Sequence, residues 1–491
     1  MTVREIADRI GAVLTGDGDA AASEVTHDSR QVGEGSIFIA IKGDTNDGHR
    51  FIDDVMRRGA VGIISEQRPP EGFSGAWLRV SDARAAHAAA ADVVFGSPSA
   101  DIALVGITGT NGKTTTTYLC FGLAESAGAV PAMLTTVEYR IGDTSEPAVR
   151  TTPESSDTNR FLRRAVNAGC TVAVMEASSQ ALHLRRCDGL RFRVAVFTNL
   201  TRDHLDYHGT MDEYFDAKKM LFDGRIGTAP ASSVINIDDE WGARLADELR
   251  SDGRRVVTIS VSGEADLSAS DVNVSLIDGT SFTMNANGSK IHISSPLVGI
   301  PHVYNMLTAA GVALELGYDL GTIRDGLATC IGAPGRFERV PHDRGFAVVV
   351  DYAHTDDALL NTLRTARELT SGRIITVMGC GGDRDRGKRR PMGLVTGAES
   401  DVTIITSDNP RNEDPMRIIA EVEEGVKEAN GTYFAISDRR EAIRKAVSIA
   451  AEGDVVIIAG KGHENYQIIG GDRFHFDDRE VAAEALALLS D

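Results

Sequence analysis

A short apolar strand that runs into a glycine-rich turn and then a helix constrains this chain more than any other feature. Ile102-Ala103-Leu104-Val105-Gly106-Ile107 leads into Thr108-Gly109-Thr110-Asn111-Gly112-Lys113-Thr114-Thr115. Glycines let the backbone turn so tightly that several N–H groups can face one anion. The helix that follows adds a favourable dipole at its N-terminus. Lys113 can neutralise β- and γ-phosphates, and the Thr114 hydroxyl can bind Mg²⁺. The segment departs from GxxxxGK[ST] at its first glycine, because Ile107 stands there and glycines fall at 106 and 109. Gly109, Thr110, Asn111, Gly112, Lys113, Thr114 and Thr115 are the candidate phosphate contacts.

The same grammar recurs along the chain. Apolar runs at 171–175, 194–197 and 233–237, and again at 346–350, 374–378, 402–406 and 455–459, are spaced by helical segments. Strands that alternate with helices predict parallel α/β sheets. Residues 266–296 instead alternate polar and apolar and predict hairpins, followed by a helix over 305–316. Ahead of the phosphate loop, 36–41 and 60–64 read as buried strands, and 82–95 as an alanine-rich helix. Ser97-Pro98-Ser99 and Gly332-Ala333-Pro334-Gly335 punctuate the pattern, which suggests domains at 1–100, 101–333 and 334–491. About 150 residues per domain gives the same number for 491 residues.

Composition narrows the class. With 51 basic and 71 acidic side chains the net charge is −20, against the basic field of a nucleic-acid binder or an anionic-membrane binder. Cys120, Cys170, Cys187, Cys330 and Cys380 have no zinc-like or CxxC spacing. A reduced, cytoplasmic setting is expected. Charges interrupt the first ten residues, and no apolar run reaches the length of a membrane span.

Two further strand ends carry chemistry. Glu176 closes one strand, and His204, in Thr201-Arg202-Asp203-His204-Leu205-Asp206, follows the next. Parallel sheets gather ligands at their carboxyl ends, so both groups are expected at the edge that bears the phosphate loop. Crowded phosphates need a compensating cation, which makes Thr114, Glu176 and His204 candidate Mg²⁺ ligands. Taken alone, Glu176 would as readily be a solvated acid and His204 a satisfied polar group.

GxxGTNGKTT resembles the phosphate loop of the ATP-dependent Mur ligases, and the resemblance continues in order through DHLD, AKxxLF, PGRxE, DYAH, DNPR and GKGHE. It covers nearly the whole chain. It implies a three-domain α/β architecture: a UDP-sugar domain, a central parallel-sheet ATPase domain and a C-terminal Rossmann-like domain for the amino acid. A monomeric cytoplasmic enzyme with no nucleic-acid partner and no membrane insertion is expected. In Asp216-Ala217-Lys218-Lys219-Met220-Leu221-Phe222 the family pattern selects Lys218 as a lysine carbamylated by CO₂ that helps hold Mg²⁺. Lys113, Lys218, Glu176 and His204 are thus the implied catalytic set. Asn305, Arg336 and Asp351 are the implied further ATP contacts.

The resemblance also assigns substrate pockets. His27, Ser29, Asp44, Thr45 and Asn46 match the uridine-binding pattern, and Thr151, Thr152, Ser178 and Arg186 match positions near the muramoyl peptide. Gln180 and Leu184 depart from the residues often found there. Asp408-Asn409-Pro410-Arg411 looks like the motif of the diaminopimelate-adding members. Diaminopimelate carries a second carboxylate that lysine lacks. An arginine fork can pair with it, and a site built on that pairing rejects an analogue without it. Arg384, Gly460 and Glu464 match further diaminopimelate contacts. The expected reaction joins meso-diaminopimelate to the D-Glu γ-carboxylate of UDP-MurNAc-L-Ala-D-Glu through an acyl phosphate. The rivals are the same ligation with L-lysine, and an NTPase or nucleotide sensor built on the same loop.

Overall fold

The computed structural model describes residues 1–489 except Asp44, Thr45, Ile277 and Asn287. Among the described residues the strands assemble into sheets of five, eleven and six strands and a separate two-stranded hairpin. The chain divides into two compact units. The first holds Met1–Ser270, Met284–Ile291 and Tyr304–Leu327, and the second holds Asp271–Thr283, His292–Val303 and Ala328–Asp491.

In the first unit, strands Pro131–Leu134, Val172–Glu176, Ala103–Thr108, Phe192–Phe197, Ser232–Asn236 and Val256–Ser260 lie side by side in that order, all parallel. They are buried along almost their whole length, as the strands of a parallel sheet are. Register brings their carboxyl ends level: Glu176 pairs with Ile107, and Phe197 with Thr108. The phosphate loop, Glu176 and the segment from Thr198 therefore leave the sheet at one edge. The N-terminal part carries the five-stranded sheet, with strands Ser36–Ile39 and Gly62–Ser65 at its centre and helix Ala83–Val94 beside it. Its strands of three and four residues are too short to show a period in sequence.

Helix Met211–Asp223 illustrates how sequence sets a site. Thr210 and Glu213 form a reciprocal cap at its start, and Gly224 closes it in the left-handed region at φ 91°. Tyr214, Phe215, Ala217, Lys218, Leu221 and Phe222 form the buried stripe at helical spacing. A lysine thus occupies a core position. Its neighbour Lys219 turns outward and pairs with Glu248 at 2.7 Å.

In the second unit the order is Glu338–Arg339, Ala347–Asp351, Val455–Ala459, Ile374–Met378, Val402–Ile405 and Tyr433–Ala435. All pairs are parallel except the first. Asp351 is level with Ala459, and Met378 with Ile405, so the segments that begin at Gly379, Thr406 and Gly460 emerge together. Arg439 and Asp478, both fully buried, pair at 2.7 Å, and Arg439 also donates to the Ala459 carbonyl. A buried pair of this kind tolerates no loss of one partner.

Candidate active site

The phosphate loop is docked on the strand end beside it. Thr110 N–H donates to the Asn199 carbonyl and Asn111 N–H to Asn199 Oδ1, each at 2.9 Å. Thr198 Oγ1 donates to the Asn111 carbonyl at 2.6 Å. Gly109 is required here, because a Cβ would lie 1.8 Å from Thr198 Oγ1. Gly112, at φ 84°, starts helix Lys113–Ser126 against Asn305, whose Oδ1 would lie 2.5 Å from an added Cβ. Asn305 also accepts from Thr116 at 3.3 Å. Thr115 is buried on the same helix.

Two lysine side chains address the loop's carbonyls. Lys113 Nζ donates to Gly109 and Thr110 at 2.9 and 2.8 Å. Lys218 Nζ donates to Gly109 at 2.7 Å, with its residue 1% exposed. Burial, then the charge of Lys113, drives the Lys218 amine well below the usual lysine range. The Lys218 ammonium position lies 4.3 Å from the centre of the Tyr214 ring, and the Tyr214 hydroxyl meets Thr110 Oγ1 at 3.3 Å.

Glu176 is buried and accepts from Thr114 Oγ1 at 2.9 Å and from the Thr136 N–H at 2.9 Å. Thr136 in turn donates to Thr151 at 3.1 Å. Thr152 Oγ1 donates to the Glu176 carbonyl at 2.8 Å and accepts from Ser178 N–H at 3.1 Å. The TTP segment, Ser178 and the phosphate loop therefore meet around Glu176, the loop at its carboxylate and Thr152 at its main-chain carbonyl. His204 is placed differently. It sits at φ 52° with an exposed ring edge-on to Tyr214 at 6.1 Å. Among the described residues no group of three or more His, Cys, Asp or Glu has the arrangement of a metal site. The donors nearest the loop are Thr114 and Glu176, hard oxygens that suit Mg²⁺.

A cavity of about 820 Å³ opens beside the TTP segment. His27, Ser29, Asn46 and Arg186 all line it, as do Arg84 and Arg160, two residues that sequence reasoning passed over. Arg186 is held by Glu154 at 2.9 Å and by the Thr152 carbonyl at 3.2 Å. Burial lowers the His27 ring below its ordinary value. Asp44 and Thr45 lie outside the described residues.

In the second unit the DNPR and GKGHE segments interlock. Asn409 Nδ2 donates to Glu464 at 2.9 Å, and the Gln467 side chain donates to the Asp408 carbonyl at 2.7 Å. At the centre is Lys461, 0% exposed, which reaches Asp408 and Asn409 at 3.3 Å and Glu464 at 3.4 Å. Sequence reading named Gly460 and Glu464 on either side of it and missed Lys461. The signal was there, since a lysine between two glycines after an apolar strand has no solvent-facing helix to occupy. Pro410 is buried, and Arg411 donates to the Gly382 carbonyl at 2.8 Å. Arg384 is exposed on the loop that follows Gly382. Gly460, at φ 113°, leaves room beside Asp408, with 3.9 Å from its would-be Cβ to Oδ2.

Arg336 and Asp351 also belong to this unit. Arg336 lies over the Tyr352 ring at 4.8 Å. Asp351 accepts from the Phe337 and Ala353 N–H groups at 2.7 and 2.9 Å, and burial raises its carboxyl pKa. His463 packs 4.8 Å from the Tyr352 ring, so PGR, DYAH and GKGHE share one corner.

A phosphate loop on a parallel sheet, together with a second α/β unit whose polar loops enclose a buried lysine, defines a multidomain nucleotide-dependent enzyme. Residues 22–93 match the Mur ligase family catalytic domain, 107–313 the Mur ligase middle domain, and 335–462 the Mur ligase glutamate ligase domain. The UDP-N-acetylmuramoyl-L-alanyl-D-glutamate–2,6-diaminopimelate ligase of Geobacter metallireducens is 47% identical, with 94% of each chain covered. The Solibacter usitatus protein of that name is 45% identical, over 95% of this chain and 94% of its own. A solved structure with that enzyme name superposes with a TM-score of 0.74 at 33% identity, covering 99% of both chains. The chain belongs to the Mur ligase family.

Proposed function

We propose that this protein is an ATP-dependent ligase that joins meso-2,6-diaminopimelate to the D-Glu γ-carboxylate of UDP-MurNAc-L-Ala-D-Glu, releasing ADP and phosphate. The observation that carries the choice of amino acid is the interlocked cluster of Asp408, Asn409, Arg411, Lys461 and Glu464. It presents acceptors for an ammonium group beside a guanidinium for a carboxylate, the two charges at the distal end of diaminopimelate. L-Lysine offers only the first.

The loop amides and Lys113 hold the ATP phosphates and stabilise charge as the γ-phosphoryl group moves to the substrate carboxylate. The acyl phosphate then makes phosphate the leaving group when the amine attacks. Thr114 and Glu176 would hold Mg²⁺, which supplies charge neutralisation at the phosphates. Lys218, buried and biased toward its neutral amine, has the lone pair that carbamylation by CO₂ requires, and the carbamate would add a carboxylate-like ligand. His27, Ser29, Asn46, Thr151, Thr152, Ser178 and Arg186 serve the UDP-muramoyl dipeptide, and Asn305, Arg336 and Asp351 the nucleotide. We keep the division at 1–100, 101–333 and 334–491, in a cytoplasmic monomer.

The test is phosphate release and product mass with ATP, Mg²⁺ and UDP-MurNAc-L-Ala-D-Glu, comparing meso-diaminopimelate with L-lysine. Amide formed with diaminopimelate is expected. Amide formed only with lysine refutes the amino-acid assignment, and phosphate release that needs neither co-substrate refutes the ligase.

A further inference from the structure

We infer that Arg389 and Glu413 form a clamp that fixes the loop carrying Arg384 against the loop carrying Arg411, and so act as positioning residues for amino-acid selection. The inference rests on the reading of this site given above. Arg389 opens helix Arg389–Glu399 and is 0% exposed. A guanidinium in that position needs carboxylates to offset its lost hydration. It has them: its two Nη atoms donate to the two oxygens of Glu413 at 2.8 and 3.0 Å, and Nη1 also donates to Glu421 at 3.0 Å. The same guanidinium donates to the Gly381 carbonyl at 3.2 Å. One buried group thus grips both loops.

Glu413 passes the constraint on. Its Oε1 accepts from the Asp383 N–H at 2.6 Å, next to Arg384. Asp383 and Arg411 are both non-glycine residues in the left-handed region, at φ 52° and 50°. Such backbones persist only where the surroundings over-determine them. Here the surroundings are the facing loop: Gly382 N–H donates to the Asn409 carbonyl at 2.9 Å, Arg411 to Gly382, and Asn412 Nδ2 to Asp383 at 2.8 Å. Both arginine-bearing loops are therefore set by contacts with each other, with the Arg389–Glu413 pair behind them. Being buried, Arg389 acts through these loops and not by touching an amino acid.

The test is steady-state kinetics of Glu413→Gln. This variant keeps an acceptor for Asp383 but removes the charge opposite Arg389, while Glu421 still compensates the guanidinium. The KM for meso-diaminopimelate should rise about tenfold, since small misplacements of binding groups carry effects of that order. The preference over L-lysine should narrow, and the KM values for ATP and the UDP-muramoyl dipeptide should not move. Arg389→Lys, which keeps the charge but cannot span both loops, should give the same pattern. Glu428→Gln removes a carboxylate from the exposed pair between Arg390, on the same helix as Arg389, and Glu428 of helix Pro415–Glu428, and should leave every constant at its wild-type value. An unchanged diaminopimelate KM in Glu413→Gln, or an equal rise in all three KM values, overturns the clamp. A wild-type enzyme that uses lysine and not diaminopimelate overturns the substrate reading instead, and the clamp is then read from the KM for lysine.

Discussion

The phosphate loop and the proposed amino-acid site both stand at the carboxyl edge of a parallel sheet, but they are made of different material. The loop is built from backbone, with glycines at van der Waals limits and carbonyls that accept two lysines. The amino-acid site is built from side-chain charge, with Lys461 among Asp408, Asn409 and Glu464, and Arg389 between Glu413 and Glu421. A backbone site depends on a few residues that leave a local signature. A charge network depends on partners tens of residues apart, so it is robust to no single loss and shows little in sequence.

The largest effects should come from the two lysines that donate to the loop. Lys113→Ala should lower turnover by about 10³-fold or more, the scale of removing a main charge-stabilising group. Phosphate release measures this, and an unchanged circular dichroism spectrum shows that the fold survives. Lys218→Ala should likewise abolish turnover, while Lys219→Ala, one position along the helix, should cost no activity and at most about 0.5 kcal/mol of stability. Equal effects at 218 and 219 would erase the distinction between buried and surface lysine.

On the side-chain half of the comparison, Asp478→Asn leaves Arg439 buried without its counter-charge. It should destabilise the second unit by about 3–5 kcal/mol, read by urea unfolding. Arg411→Ala should lower kcat/KM for meso-diaminopimelate by about 10²-fold or more and that for lysine far less. Product quantification with the two amino acids decides it.

A further effect is one of pH. Burial holds the His87 ring down to about 3, against 6.5 in the open chain. The unfolded chain takes up a proton as pH falls below 6.5, and the native ring does so only near 3. Its contribution to stability is therefore complete above 6.5 and declines on acidification through that window. His87→Phe should lessen the loss between pH 7 and 5 by about 2 kcal/mol, measured as the shift in unfolding midpoint.

Sequence carried the sheet of the second unit, since 374–378 and 455–459 coincide with strands Ile374–Met378 and Val455–Ala459, and the phosphate loop of the first unit lies where its glycines put it. Strands Glu138–Ile141 and Thr144–Pro147 were not legible, because a polar edge hairpin ending in proline has neither an apolar run nor a helical period. In the site, motifs gave positions but not juxtapositions. GKGHE marks a turn, yet only the fold shows that its lysine faces Asp408, or that Arg389 and Glu413 meet across 24 residues. His204 lies by Tyr214, a neighbour that its own strand end does not announce.

One close approach bears on how variation in this chain should be interpreted. A Cβ on Gly335 would lie 2.1 Å from the Gly462 carbonyl carbon, and one on Gly462 would lie 2.6 Å from the Tyr352 Cβ. The two main chains pass with no layer of side chains between them. In a saturation scan both positions should reject every replacement, alanine included, as firmly as Lys113 does. Intolerance there is a matter of clearance, so a map of mutational sensitivity would colour this corner like a reaction centre although neither glycine has a side chain to offer a substrate.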